Sequence, residues 1–223
     1  EPQNWLTYSG TYASQRHTLL RQIDPGNVKN LELKWVLPNQ VFGAWQSTPL
    51  VVDGIMYVTQ RPNDVLAVDA ETGRVFWQYR YPVSPEARVC CGSNNRGLAI
   101  LGSTLFMGTL DGRLVAIDAA GGRPLWNVAV GDPKLGYSLT MAPLAVKDKI
   151  LVGVGGGEYG IRGFVAAFDP ASGKELWRFY TVPGPGERGH ETWKNDAWKT
   201  GGGSVWLTPS YDPALNLTYW GIG

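Results

Sequence analysis

The chain has 223 residues, with Lys+Arg 20 set against Asp+Glu 19, a near-neutral balance that offers no electrostatic footprint for nucleic acid or an anionic lipid surface. Its most apolar stretch, residues 98–110, is interrupted by Gly102, Ser103, Gly108 and Thr109 and is too short to cross a bilayer, so no membrane span is expected. Gly 29 without a collagen period points to many tight turns, and Trp 10 to aromatic plates packed between sheets.

Taken from the start, Glu1-Pro2 opens no charged and then apolar leader, and the chain reads as mature sequence with any signal peptide removed. Residues 30–37 contain LELKWVL, a strand pattern. From Pro49 the sequence repeats. Three segments share the frame Ala-x-Asp-x-x-x-Gly-x-x-x-Trp: AVDAETGRVFW (67–77), AIDAAGGRPLW (116–126) and AFDPASGKELW (167–177). An apolar alternating run precedes each frame, beginning at Pro49, Gly97 and Ala142. In the first unit, Val51-Val52, the turn Asp53-Gly54, then Ile55 to Val58 reads as a hairpin. Residues 65–69 read as a third strand, Glu71-Thr72-Gly73 as a turn, and residues 74–79 as a fourth strand carrying the tryptophan.

Four antiparallel strands per repeat of roughly 45 to 50 residues make the blade of a β-propeller. The expected fold is therefore all-β, with blades near 46–80, 97–130 and 140–180 and the start of a fourth from 203. Residues 30–37 are expected to close a blade built mostly by later sequence. A ring of so few blades leaves open strand edges, and the remainder of the propeller is expected to lie outside this chain. Periodic placement marks Trp77, Trp126 and Trp177 as residues that pack blade on blade.

Three short motifs fall outside the repeat. Cys90 and Cys91 are adjacent; such a pair forms either a strained eight-membered disulfide ring or two reduced thiols. Residues 153–160 (GVGGGEYG) formally satisfy G-x-G-x-x-G, but residues 162–169 read as a strand. A dinucleotide fingerprint needs a helix there, so that reading is rejected. Residues 200–206 (TGGGSVW) combine glycines that permit close backbone approach with a flat indole. His17 and His190 have no partner spacing for a metal or a catalytic triad.

Cys-Cys-x-x-x-Asn-Arg-Gly (90–97), the Gly-Gly-Gly-Glu turn (155–158) and the Gly-rich tryptophan turn occur in an order that resembles the PQQ-dependent (pyrroloquinoline quinone) methanol and ethanol dehydrogenases. The resemblance covers essentially the whole chain and implies an eight-bladed propeller in the full protein. It implies a vicinal disulfide, Cys90–Cys91, against one face of the PQQ ring, with Trp206 as the opposite plate. Arg96 is then expected to contact the carboxylates of PQQ, and Gly155, Gly156 and Gly157 to let backbone approach it. Glu158 is expected to bind Ca²⁺ or a lanthanide, a hard cation suited to carboxylate oxygen. Thr140 and Ser204 match hydroxyl positions around the quinone. Gln46 stands where the family often has glutamate, and Gly155 where it has serine.

No catalytic base is expected within the chain; the resemblance implies that a second metal ligand and the catalytic aspartate follow Gly223. The implied activity is oxidation of a primary alcohol to an aldehyde in the periplasm, with cytochrome c as electron acceptor and no turnover by this chain alone. A non-catalytic propeller scaffold binding protein partners, or a sugar-oxidising quinoprotein, shares the repeat. Neither calls for all three motifs together.

Overall fold

The computed structural model describes residues 2–39 and 41–223. Three four-stranded antiparallel sheets follow one another along the chain, each meandering in sequence order. The first holds β1 (Leu50–Val52), β2 (Ile55–Gln60), β3 (Asp64–Asp69) and β4 (Val75–Tyr79). The second holds β5 (Leu98–Leu101), β6 (Thr104–Gly108), β7 (Arg113–Asp118) and β8 (Pro124–Ala129). The third holds β9 (Leu144–Val146), β10 (Lys149–Gly153), β11 (Phe164–Phe168) and β12 (Glu175–Tyr180). A two-stranded hairpin follows, β13 (Ser210–Asp212) with β14 (Leu217–Tyr219). No helix among the described residues is long and apolar enough to cross a membrane.

The recurring frame has one local structure, repeated three times. In each frame the aspartate N–H donates to the backbone carbonyl five residues on, and the glycine N–H donates back to the aspartate carbonyl (Gly73 to Asp69, Gly122 to Asp118, Gly173 to Asp169). The carboxylate then accepts from backbone N–H groups inside the turn: Glu71 and Thr72 bond Asp69, Gly121 bonds Asp118, and Ser172 bonds Asp169. Each third-to-fourth strand pair carries a register shift at the frame alanine, between Ala67/Val68, Ala116/Ile117 and Ala167/Phe168. Such a bulge bends the strand into the turn.

The core lies between the sheets. Leu50, Tyr57, Val65 and Ala67 of the first sheet bury against Leu105, Met107, Val115 and Ile117 of the second. Phe106, Leu114 and Ala116 of the second bury against Ile150, Val152, Phe164 and Ala166 of the third. Stacked sheets covered on both faces explain why the middle strands are apolar on both sides rather than alternating: all five residues of β11 are buried.

The tryptophans join neighbouring sheets. Trp77 lies over Gly122 and donates its indole N–H to Ala119 at 3.1 Å. Trp126 lies over Gly173 and donates to Pro170 at 3.0 Å. Trp35 lies over Gly73 and donates to Ala70 at 3.1 Å, so residues 31–37 dock as the preceding repeat would. That segment is in no strand ladder among the described residues; Trp35 and Leu37 hold it by packing against Val58, Leu66 and Val68. Trp177 is 41% exposed. Near the N-terminus, Trp5 pairs with Val51 on the free edge of β1, and Tyr12 reaches Ala145 with its hydroxyl at 2.9 Å.

Candidate functional site

The segments that lead into β1, β5 and β9 run side by side at one end of the sheets. Thr48 N–H donates to Arg96 O at 3.0 Å, and Arg96 N–H donates to Thr140 O at 3.1 Å. Beyond them Ser138 and Gly155 exchange backbone bonds, and Val205 N–H donates to Val154 O at 2.7 Å. This lacing of entry segments closes a cavity of about 340 Å³, a size usual for small-molecule sites.

Ten of the residues singled out in the sequence line it: Gln46, Cys90, Cys91, Arg96, Thr140, Gly155, Gly156, Glu158, Ser204 and Trp206. Gly157 stands behind the wall, where an added Cβ would come within 3.0 Å of Ser204 Oγ. Val89, Gly92, Asn94, Ser138 and Tyr159 also line the cavity and were not read from the sequence. Gly92 and Asn94 lie inside the 90–97 motif and Tyr159 follows Glu158 in the glycine turn, whereas Ser138, a hydroxyl beside a strand, carries no motif. The formal G-x-G-x-x-G opens a three-residue 3₁₀ turn, Gly157–Tyr159, and then β11; no α-helix follows it.

The sulfur wall is built by a turn without a ladder. Cys90 and Cys91 form a disulfide, so the two-thiol alternative does not apply. Gly92 takes φ +86, a conformation that suits glycine, and Asn94 returns its backbone N–H to Gly92 O at 2.8 Å. Asn94 Nδ2 donates to Cys91 O at 2.9 Å, while its Oδ1 is buried with no hydrogen-bond partner among the described residues. Asn95 fastens the end of the turn, donating to Gly108 O at 2.8 Å and accepting from Gly97 N–H at 3.0 Å.

One cation and one carboxylate line this cavity. The Arg96 guanidinium lies 4.8 Å from the centroid of the Trp206 ring and donates to Thr140 O at 3.2 Å. Burial pulls its pKa below the ordinary arginine value; the guanidinium remains charged at neutral pH. A carboxylate oxygen of Glu158 and the sulfurs of Cys90 and Cys91 lie within 4.8 Å of one another. Because the sulfurs are bonded to each other they present no thiolate, the form that binds metal. Glu158 is the one hard ligand in that group.

These walls suit a flat, anionic, oxygen-rich ring. The disulfide and the Trp206 indole offer apolar plates, Arg96 offers a cation, and the hydroxyls of Ser138 and Thr140 offer donors, while the Ser204 hydroxyl donates to Gly223 O at 3.0 Å. Gly155 leaves open a cradle that a Cβ would fill, meeting Ser138 Oγ at 3.1 Å and Trp206 Cβ at 3.7 Å.

Stacked four-stranded blades joined by docked tryptophans, with a cavity at the blade entries, define part of a β-propeller with a cavity of ligand size. The chain belongs to the family described as "PQQ: Glucose/ethanol/alcohol dehydrogenase, beta-propeller domain", whose profile matches residues 5–223. It is 44% identical over 232 residues to the quinohemoprotein alcohol dehydrogenase ADH IIB of Pseudomonas putida, covering 98% of this chain and 34% of that protein. The solved quinohemoprotein alcohol dehydrogenase ADHIIG from Pseudomonas putida HK5 superposes with a TM-score of 0.92 at 42% identity, over 100% of this chain and 35% of that one. A europium-containing methanol dehydrogenase superposes with a TM-score of 0.93 at 39% identity, over 100% of this chain and 42% of that one. The chain spans about a third of the length of the curated relatives ADH IIB and ADH-IIG of Pseudomonas putida that it matches.

Proposed function

We propose that this chain supplies the first blades, and much of the quinone-binding cavity, of a periplasmic PQQ-dependent alcohol dehydrogenase. The observation that carries the reading is the convergence of four groups on one cavity: the Cys90–Cys91 disulfide, Arg96, Glu158 and Trp206. When bound, PQQ with Ca²⁺ or a lanthanide at its rim supplies a two-electron acceptor for hydride from a primary alcohol. The relatives named above as alcohol and methanol dehydrogenases support that substrate class.

Each residue of the chain has a physical role in this reading. The disulfide and the Trp206 indole would hold a flat ring between them and shield it from water. Arg96 pairs with the ring carboxylates through charge-assisted bonds, strengthened by its burial. Thr140 and Ser138 would offer hydroxyl donors to ring oxygens, Ser204 lines the slot with its hydroxyl donating to Gly223 O, and the Gln46 amide provides a neutral donor. Gly155 and Gly156 let the backbone approach, with Gly157 holding the wall behind them. Glu158 would hold the cation through its carboxylate, the one hard ligand among the groups gathered there. With Glu158 assigned to the metal, the base that takes the alcohol proton lies outside this chain, and the chain alone does not turn over. A disulfide between adjacent cysteines persists in an oxidising compartment, which supports the periplasm, where cytochrome c takes the electrons.

The test is reconstitution. The full-length polypeptide with PQQ and Ca²⁺ or a lanthanide is expected to oxidise primary alcohols with an artificial electron acceptor and then with cytochrome c. The 223-residue chain under the same conditions is expected to show no turnover. Absence of PQQ binding by the full-length protein would overturn the reading, and turnover by the chain alone would overturn the assignment of the base.

A further inference from the structure

The disulfide turn faces a mechanical problem. Residues 90–94 belong to no ladder, and both cysteines are exposed, yet a wall that defines a flat slot has to stay in one place. Part of the anchoring is internal, through Asn94 and Cys91 O. The external anchor is Arg61, one residue beyond the end of β2 and absent from the cavity lining.

Its guanidinium bridges two walls. Arg61 Nε donates to Ser93 O at 3.1 Å, in the disulfide turn, and Arg61 Nη1 donates to Phe42 O at 3.0 Å. Phe42 begins the segment that carries Gln46 into the cavity, and that segment is pinned again by Trp45 Nε1 donating to Thr59 O at 2.8 Å. Two glycines make room for the fork. A Cβ on Gly43, at φ +119, would collide with Arg61 Nη1, and a Cβ on Gly92, at φ +86, would lie 3.5 Å from Nη2.

We propose that Arg61 is a positioning residue that clamps the disulfide turn to the Gln46 segment and so sets the place of the sulfur plate in the slot. A planar guanidinium can serve two carbonyls in fixed directions at once; an ammonium of similar reach cannot hold that geometry. The arginine sits on the end of a strand whose last four residues are buried, so its stem is rigid where the two turns it serves have no ladder of their own.

The inference rests on the reading that PQQ occupies the cavity for one of its two tests; the other is independent of it. Both use the full-length protein and compare Arg61→Met, Arg61→Lys, Gly43→Ala and Trp206→Ala with wild type. The first follows the rate at which dithiothreitol opens Cys90–Cys91, read by alkylation and mass spectrometry. Arg61→Met and Gly43→Ala are expected to speed opening by about tenfold, Arg61→Lys nearly as much, and Trp206→Ala far less, by analogy with outer positioning groups elsewhere. The second is equilibrium dialysis of PQQ, where Arg61→Met and Gly43→Ala are expected to lose about tenfold in affinity, or about 1.4 kcal/mol, with the urea midpoint of Arg61→Met unchanged.

Opening rates equal to wild type in both Arg61→Met and Gly43→Ala would overturn the clamp. Loss of affinity only in proportion to a lowered urea midpoint would reduce Arg61 to a structural role and overturn it as well. If Trp206→Ala abolishes PQQ binding and Arg61→Met leaves it intact, the clamp fails and the proposed function stands. If no variant changes PQQ binding, the proposed function fails.

Discussion

Replacing Gly122 by alanine, beside the control Gly54→Ala, measures what a docked tryptophan contributes. Both glycines hold left-handed backbone, φ +70 at Gly122 and φ +81 at Gly54, so both substitutions carry the same backbone strain, about 1–2 kcal/mol. Their surroundings differ. A Cβ on Gly54 meets nothing within 4 Å, whereas one on Gly122 would lie 2.5 Å from Trp77 Cε3 and 2.7 Å from Cδ2. Carbon atoms pack best at about 3.5–4.0 Å, so the indole has to retreat by about 1 Å. That retreat breaks the 3.1 Å bond to Ala119 O, a loss of about 1 kcal/mol, and costs dispersion along the ring. We expect Gly122→Ala to destabilise by about 3–4 kcal/mol and Gly54→Ala by about 1–2 kcal/mol. Urea unfolding followed by tryptophan fluorescence checks this. Equal losses in the two variants would refute the claim that the frame glycine seats the neighbouring indole.

The remaining predictions concern the cavity and the turns. Arg96→Met is expected to weaken PQQ binding by about 10–100-fold through loss of charged hydrogen bonds, with Arg96→Lys intermediate, as read by isothermal titration. Glu158→Gln is expected to weaken the cation by at least about tenfold while PQQ without metal binds as before, checked by titrating Ca²⁺ or La³⁺ into each form. For pH, the Asp69 carboxylate is held below the usual range by the Thr72 backbone N–H, and Asp169 by the Ser172 hydroxyl. A lowered folded pKa gives stability that is complete above the unfolded value of about 3.9 and is lost as pH falls through the folded value. Asp69→Asn should therefore narrow the gap between urea midpoints at pH 7 and in the acid range; an unchanged gap would contradict it.

Much of this molecule was legible in the sequence because its folding unit repeats. The Asp-Gly-Trp frame marked strand ends, turns and docking residues together, and Asp53-Gly54 marked a hairpin that indeed uses two left-handed residues, at φ +49 and φ +81. What the frame did not disclose is that its glycine has two jobs. Gly122 and Gly173 are turn residues of their own blade and also seats for Trp77 and Trp126 of the blade before, a contact made between repeats and so invisible within one. Residues 31–37 show the same limit: their strand pattern forms no ladder among the described residues, and they are tied to the first sheet by Trp35 on Gly73 and by Trp35 and Leu37 on Val58, Leu66 and Val68. At the site, Cys90, Glu158 and Trp206 stood out because each sits in an unusual local context. Ser138 did not, because a serine beside a strand is ordinary until the fold brings it to a cavity wall.

The most direct measurement is a crystal structure of the full-length protein after PQQ and Ca²⁺ are diffused into it. The account predicts a planar ring with the sulfurs of residues 90 and 91 on one face and the indole of Trp206 on the other, its carboxylates toward Arg96 and a cation touching Glu158. Density for the quinone at any other surface, with the slot between those plates filled only by solvent, would contradict it.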